Sequence, residues 1–218
     1  MDQSAREAQT GYDRVAAEYA RRIFDELAHK PLDRQLLDRF ADQVRDRGPV
    51  CDLGCGPGQI ARYLYEQGIT QVFGLDLSPS MVEQACLLNP QIPFCQGNMR
   101  TLQAEDGAWA GIAAFYSIIH IPPSDVTEVL REFCRVLQPH GVLLLTFHLG
   151  LEPVHLDEWW GEQVSIDFYF FQRDEMENYL SAAGFEIEDS IQRSPYKDVE
   201  HPSQRAYIFA RKPREESA

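Results

Sequence analysis

The stretch Val50-Cys-Asp-Leu-Gly-Cys-Gly-Pro-Gly58 constrains this chain more than any other. An apolar run ends in Asp52, and glycines follow at 54, 56 and 58. Ile60, Ala61, Leu64 and Tyr65 then recur at helical spacing until Gly68 stops the pattern. That order predicts a strand, a tight turn and a helix. Glycines suit such a turn because a ligand must approach bare backbone, and the helix that follows aims its free N–H groups at the crevice. In open α/β sheets, ligands bind outside the carboxyl ends of the strands.

The spacing bears on which cofactor fits. The nicotinamide fingerprint Gly-x-Gly-x-x-Gly would need a third glycine at position 59, which is Gln59. Asp52-Leu-Gly54-Cys55-Gly56-Pro-Gly58 instead resembles the first motif of the class I S-adenosylmethionine-dependent methyltransferases. The resemblance covers roughly residues 10 to 211. It implies S-adenosylmethionine as cofactor and S-adenosylhomocysteine as product. It also implies that Asp52, Gly54, Cys55, Gly56 and Gly58 run along the methionine and ribose parts. A second strand, Gln71 to Asp76, ends in a carboxylate 22 positions beyond Gly54. Nucleotide-binding α/β folds place the acceptor of the ribose hydroxyls at such a distance, and Gly74-Leu-Asp-Leu-Ser78 matches the family's second strand end. Leu77 and Met81 are placed to bracket the adenine. At Gly97-Asn98-Met99 the family commonly has Gly-Asp, and Asn98 keeps an accepting carbonyl without the charge. Arg135 to Leu145 resembles the fifth-strand signature, with His140 where a glycine is usual.

The acceptor side is expected at the strand ends. Tyr116, Ser117 and His120 follow the fourth strand, and His148 follows the fifth. His120 is the candidate general base, with the alternative that it only holds its loop by hydrogen bonds. Tyr12-Asp13-x-x-Ala16-x-x-Tyr19 resembles the N-terminal helix of small-molecule methyltransferases. The resemblance implies that Tyr12 faces the reacting centre and Tyr19 the cofactor; otherwise both are core aromatics at helical spacing. Residues 149–171 show no helical or strand period and are long for a connection. Their Trp159, Trp160 and Tyr169, among several acids, are expected to line the acceptor pocket, or else to pack as a satellite core.

The element order predicts a doubly wound, seven-stranded, mostly parallel sheet with an antiparallel last strand, forming one domain. Residues 1–47 are expected to form a helical lid, 48–148 the cofactor-binding core, 149–171 a substrate-side insertion, and 172–212 the last helix and strands. The chain has 218 residues and a formal charge of −14, with no block of Lys and Arg to make a nucleic-acid or anionic-membrane face. A small neutral or cationic acceptor fits that balance. The five cysteines include no second ligand pair to match Cys51 and Cys55, so no metal is expected. No apolar run reaches the ~18 residues of a membrane span, and the opening residues show no leader segment, so the expected compartment is the cytoplasm. The function expected is methyl transfer to oxygen or nitrogen of a small molecule. The alternatives are a non-catalytic S-adenosylmethionine-binding protein and a nicotinamide-dependent reductase.

Overall fold

The computed structural model describes residues 3–197 and 199–214. The apolar run before the glycines forms β1 (Val50–Leu53), which lies inside a seven-stranded sheet. On one side lie β2 (Val72–Asp76) and β3 (Phe94–Gln96). On the other lie β4 (Trp109–Phe115), β5 (Leu137–Leu149), β9 (Gln204–Arg211) and β8 (Glu186–Arg193), giving the order β3-β2-β1-β4-β5-β9-β8. β9 alone in this sheet runs opposite to the other six strands. The strand order reverses between β1 and β4. That switch point opens the crevice at the carboxyl ends.

Side-chain alternation decides which helices cover which face. In β5, Val142 and Leu144 point to one core, while Leu143, Leu145 and Phe147 point to the other. The first core is closed by Leu37 and Phe40 of α2 (Pro31–Val44) with Ile60 and Leu64 of α3 (Gln59–Glu66). The second is closed by Leu130 and Phe133 of α5 (Pro123–Val136) with Met176 and Leu180 of α6 (Arg173–Ala182). The helix after β2, α4 (Pro79–Leu88), is capped by the Ser78 hydroxyl, which accepts from Met81 N at 3.0 Å. α2 is therefore part of a sheet layer, not of the lid expected over 1–47. Its apolar stripe is spent on the sheet.

The other N-terminal helix, α1 (Gln3–Ile23), packs against α4 and against the second strand of a hairpin. That hairpin is β6 (Val154–Trp159) and β7 (Glu162–Phe168), an antiparallel pair in the span read from sequence as aperiodic. A register shift between Leu156 and Glu158 breaks the two-residue alternation, which hides the strand from a periodicity reading. Trp160 and Gly161 turn it with φ of 52° and 89°, the signature of a primed two-residue turn. Residues 138–141 form a bulge within β5, since Trp109 faces Leu137 and Gly111 faces Val142. His140 has φ 60°, the left-handed conformation that glycine takes at least cost. Residues 215–218 lie outside the described residues, as do residues 1–2 of the expected lid.

Candidate active site

The glycine loop is held from below. Gly54 N donates to Leu75 O at 2.7 Å with φ 76°, and a Cβ there would stand 2.3 Å from the Cβ of Ser117. Ser117 spends its hydroxyl on Leu53 O at 2.7 Å, so it secures the loop while lining the cleft. Asp52 does not face the cleft. It is buried and accepts Ala61 N at 2.9 Å, tying β1 to the start of α3, and burial pushes its carboxyl up to about 8. Three more expected cofactor contacts are also structural. The buried Cys55 thiol packs toward Gly74 beneath the loop, Gly58 abuts Asn89 and Phe94, and Met81 is fully buried.

Above the loop, a cleft is lined by Gly54, Gly56, Asp76, Leu77, Asn98, Met99, Tyr116 and Ser117, and closed by Tyr12, Tyr19 and His120. Asp76 accepts Gly56 N at 2.8 Å and Ser78 N at 2.9 Å, and burial raises its carboxyl to about 6. Asn98 Oδ1 accepts Arg100 N at 2.9 Å, so its side chain shapes the exit loop as well as the cleft wall. A Cβ on Gly56 would project toward the cleft, with only Tyr19 Cε1 near it, at 3.7 Å. Bare backbone beside a carboxylate and apolar Leu77 and Met99 fits an adenosyl group. These residues are the ones able to hold S-adenosylmethionine.

Tyr12, on α1, reaches across to the loop after β4. Its hydroxyl lies 2.8 Å from His120 Nε2, and His120 Nδ1 lies 3.1 Å from Asp167 O on β7. A carbonyl can only accept, so Nδ1 carries the proton and Nε2 accepts the Tyr12 O–H. Burial lowers His120 to about 4 and raises the Tyr12 phenol well above its ordinary value. Both groups are therefore neutral near pH 7. Tyr12 also meets Tyr19 and Trp159 edge to face, with ring centroids 5.8 and 5.5 Å away.

Beyond Tyr12 and Tyr19 lies a second cavity of about 330 Å³. Trp159, Trp160 and Phe168 from the hairpin line it, with Tyr116 and His148 from the strand ends. His148 stacks on Tyr116 at 4.9 Å, and its Nδ1 lies 2.8 Å from Ser203 Oγ. Burial first, then Arg205, His201 and Lys30, pushes it down to about 3. Tyr169 is not in this wall; its backbone N–H holds the hairpin to Ile119 O at 2.7 Å. Nor are the hairpin's acids: His155 pairs with Asp157 and Asp167 on the outside. The cavity's carboxylates are instead Glu26 and Glu200, matched by Lys30 and Arg205.

Sequence reasoning missed those four, and also Asp13. Asp13 Oδ1 accepts Ser78 Oγ at 2.5 Å and Ser80 N at 3.2 Å, pinning α1 to the start of α4. The Tyr-Asp pair in the N-terminal helix pointed to it. Glu200 comes from the loop before β9, where no periodicity marks it.

Residues 50–141 match a family described as "Methyltransferase domain". The methyltransferase YqeM of Bacillus subtilis is 32% identical over 72% of this chain and 62% of its own length. A malonyl-[acyl-carrier protein] O-methyltransferase of Pseudescherichia vulneris is 30% identical over 61% of this chain and 52% of its own. The chain thus spans between about half and two thirds of the length of these curated relatives. The fold matches that of magnesium protoporphyrin IX methyltransferase from Synechocystis PCC 6803, solved with bound S-adenosylmethionine. The TM-score is 0.70 at 16% identity, over 97% of this chain and 98% of that one. With the glycine loop, the carboxylate ending β2 and the seven-stranded sheet, these matches make residues 50–141 similar to a methyltransferase domain and give the chain the fold of S-adenosylmethionine-dependent methyltransferases.

Proposed function

We propose that the protein transfers the methyl group of S-adenosylmethionine to oxygen or nitrogen of a small neutral or cationic acceptor held in the aromatic cavity. The observation that carries this is Tyr12. It lines both the cofactor cleft and the second cavity, and its hydroxyl is hydrogen-bonded to a neutral, oriented histidine.

When bound, the cofactor supplies an electrophilic methyl group for direct in-line displacement. The chain's own residues position the acceptor and manage its proton. As the acceptor atom gains positive charge, its proton becomes strongly acidic, and even a weak base suffices to take it. Tyr12 accepts that proton while passing its own to His120 Nε2, and the Asp167 carbonyl holds the imidazole in the accepting tautomer. Asp76 would accept hydrogen bonds from the ribose hydroxyls, and Leu77 and Met99 would hold the adenine. Trp159, Trp160 and Phe168 exclude water and give the acceptor a flat apolar wall. Glu26, Lys30, Glu200 and Arg205 contribute two charges of each sign, so this wall offers no net charge to hold a polyanion.

A screen of diverse metabolites reading S-adenosylhomocysteine production tests the reading. Turnover of a hydroxyl- or amine-bearing aromatic is expected, and methylation only of tRNA or rRNA would overturn it. Trp159→Ala is expected to raise KM about tenfold with kcat within about threefold, since an aromatic contact of ~1–1.5 kcal/mol acts in ground and transition state alike. An unchanged KM would make Trp159 a packing residue.

The pin at Asp13 makes a separate prediction. Asp13→Ala frees Ser78 and Ser80 and unfastens α1, so the dissociation constant for S-adenosylhomocysteine should rise roughly fivefold while the sheet stays folded. Calorimetry beside a thermal melt measures both. An unchanged constant would show that α1 closes without this bond.

A further inference from the structure

Gly11 is buried inside α1 without a positive φ, so its backbone makes no demand for glycine. Glycine at such a position weakens a helix relative to alanine. Space is what requires it. A Cβ on Gly11 would stand 2.6 Å from Ile166 Cγ1 and closer still to Cδ1. Ile166 is 1% exposed, is the only buried residue of β7, and belongs to neither core of the large sheet. Its side chain is packed on α1 instead. The next residue on each element is one of the two that bracket His120. Tyr12 follows Gly11 and brings its hydroxyl to Nε2 at 2.8 Å. Asp167 follows Ile166 and brings its carbonyl to Nδ1 at 3.1 Å. Phe168 then covers the imidazole, with ring centroids 4.9 Å apart.

We propose that Gly11 and Ile166 are positioning residues, whose close contact sets the separation of α1 and β7 and so holds Tyr12 and the Asp167 carbonyl on opposite nitrogens of His120. The catalytic consequence rests on the reading that Tyr12 and His120 take the acceptor's proton; the contact itself does not. A hydrogen bond weakens steeply once its length and angle leave their narrow range, so a methyl-sized spacer between helix and strand would cost His120 one of its two brackets. The ends of β7 are fastened separately, Arg14 Nη1 donating to Gln163 O and Tyr169 N to Ile119 O. Widening the contact therefore lifts the strand from the imidazole while the hairpin stays attached and both sheet cores stay intact.

Gly11→Ala on the full chain tests this, with the ring-nitrogen chemical shifts of His120 as a readout that needs no acceptor; its signals are identified by their loss in His120→Ala. Wild type should show Nδ1 protonated and no titration down to about pH 5. The titratable groups facing the ring are Tyr12 from α1 and Asp167 from β7, and burial is the largest cause of its low pKa. Water admitted in Gly11→Ala should therefore bring the titration up toward about 6.5 and release the fixed tautomer. With the acceptor found by screening, kcat should fall on the order of tenfold near neutral pH, and further below about pH 6.5, where an imidazolium cannot accept a proton. Ile166→Ala, which loosens the same contact without a clash, should move the titration in the same direction. Adding Ile166→Ala to Gly11→Ala removes both atoms the new methyl would strike, and should return kcat to within about threefold of wild type. Neither single variant moving the His120 tautomer or titration would overturn the proposal, whatever happened to the melting temperature. A shifted imidazole with unchanged kcat would instead keep the positioning contact and remove the proton-accepting reading.

Discussion

His120→Ala should lower turnover by on the order of a hundredfold, and Tyr12→Phe by a comparable factor, with S-adenosylhomocysteine affinity within about threefold of wild type. The expectation follows from one hydrogen-bonded chain running from the Tyr12 hydroxyl through His120 to the Asp167 carbonyl. Because the two side chains act in series, the double variant should be little worse than either single one. Single-turnover rates with the acceptor found by screening decide it. A loss below threefold in His120→Ala would leave that residue the alternative role of holding its loop. The pH profile adds a second readout. His120 is lowered to about 4, so it stays neutral down to about pH 5, and the rate should not fall near pH 6.5, where an exposed imidazole would protonate. The same shift acts on stability. The native pKa lies below the unfolded value, so this stabilising contribution is complete above about pH 6.5 and is lost as pH falls toward 4. His120→Ala should remove that portion of the acid sensitivity.

Asp76→Ala should weaken S-adenosylhomocysteine binding by about a hundredfold, because two charge-assisted bonds to ribose hydroxyls are lost. The carboxylate also accepts Gly56 N and Ser78 N, so its removal loosens the loop. Burial places its pKa at about 6, and the ionised form is the better acceptor. Affinity should therefore rise as pH increases through 6 and level off above about 7, with Asp76→Asn weak and flat across the range. The sign for stability without ligand is opposite. The native pKa lies above the ordinary 3.8, so this group's stabilising contribution is present below that pH and lost as pH rises through about 6. The melting-temperature gain from ligand should accordingly be larger at pH 7 than at pH 5. Wild-type affinity in Asp76→Ala would remove the ribose assignment.

What could be read from residues alone was whatever local chemistry dictates. A run of apolar residues ending in Asp52, glycines where the backbone must take positive φ, and helical stripes such as Val126 to Val136 each carry their own conformational demand. They sufficed for the sheet, its helices and the cleft wall at Asp76, Leu77 and Met99. The tertiary structure alone decided which residues of a motif line the cleft. Asp52, Cys55, Gly58 and Met81 sit in the right motifs, but strand alternation and helix docking turn them inward. It also decided the second cavity. Its hairpin is disguised by a bulge, and Glu26, Lys30, Glu200 and Arg205 come from segments with no shared period. Gln59 Oε1 shows the limit most plainly. A glutamine after a glycine loop is unremarkable in sequence, and only burial beside Glu26 leaves that oxygen without a partner.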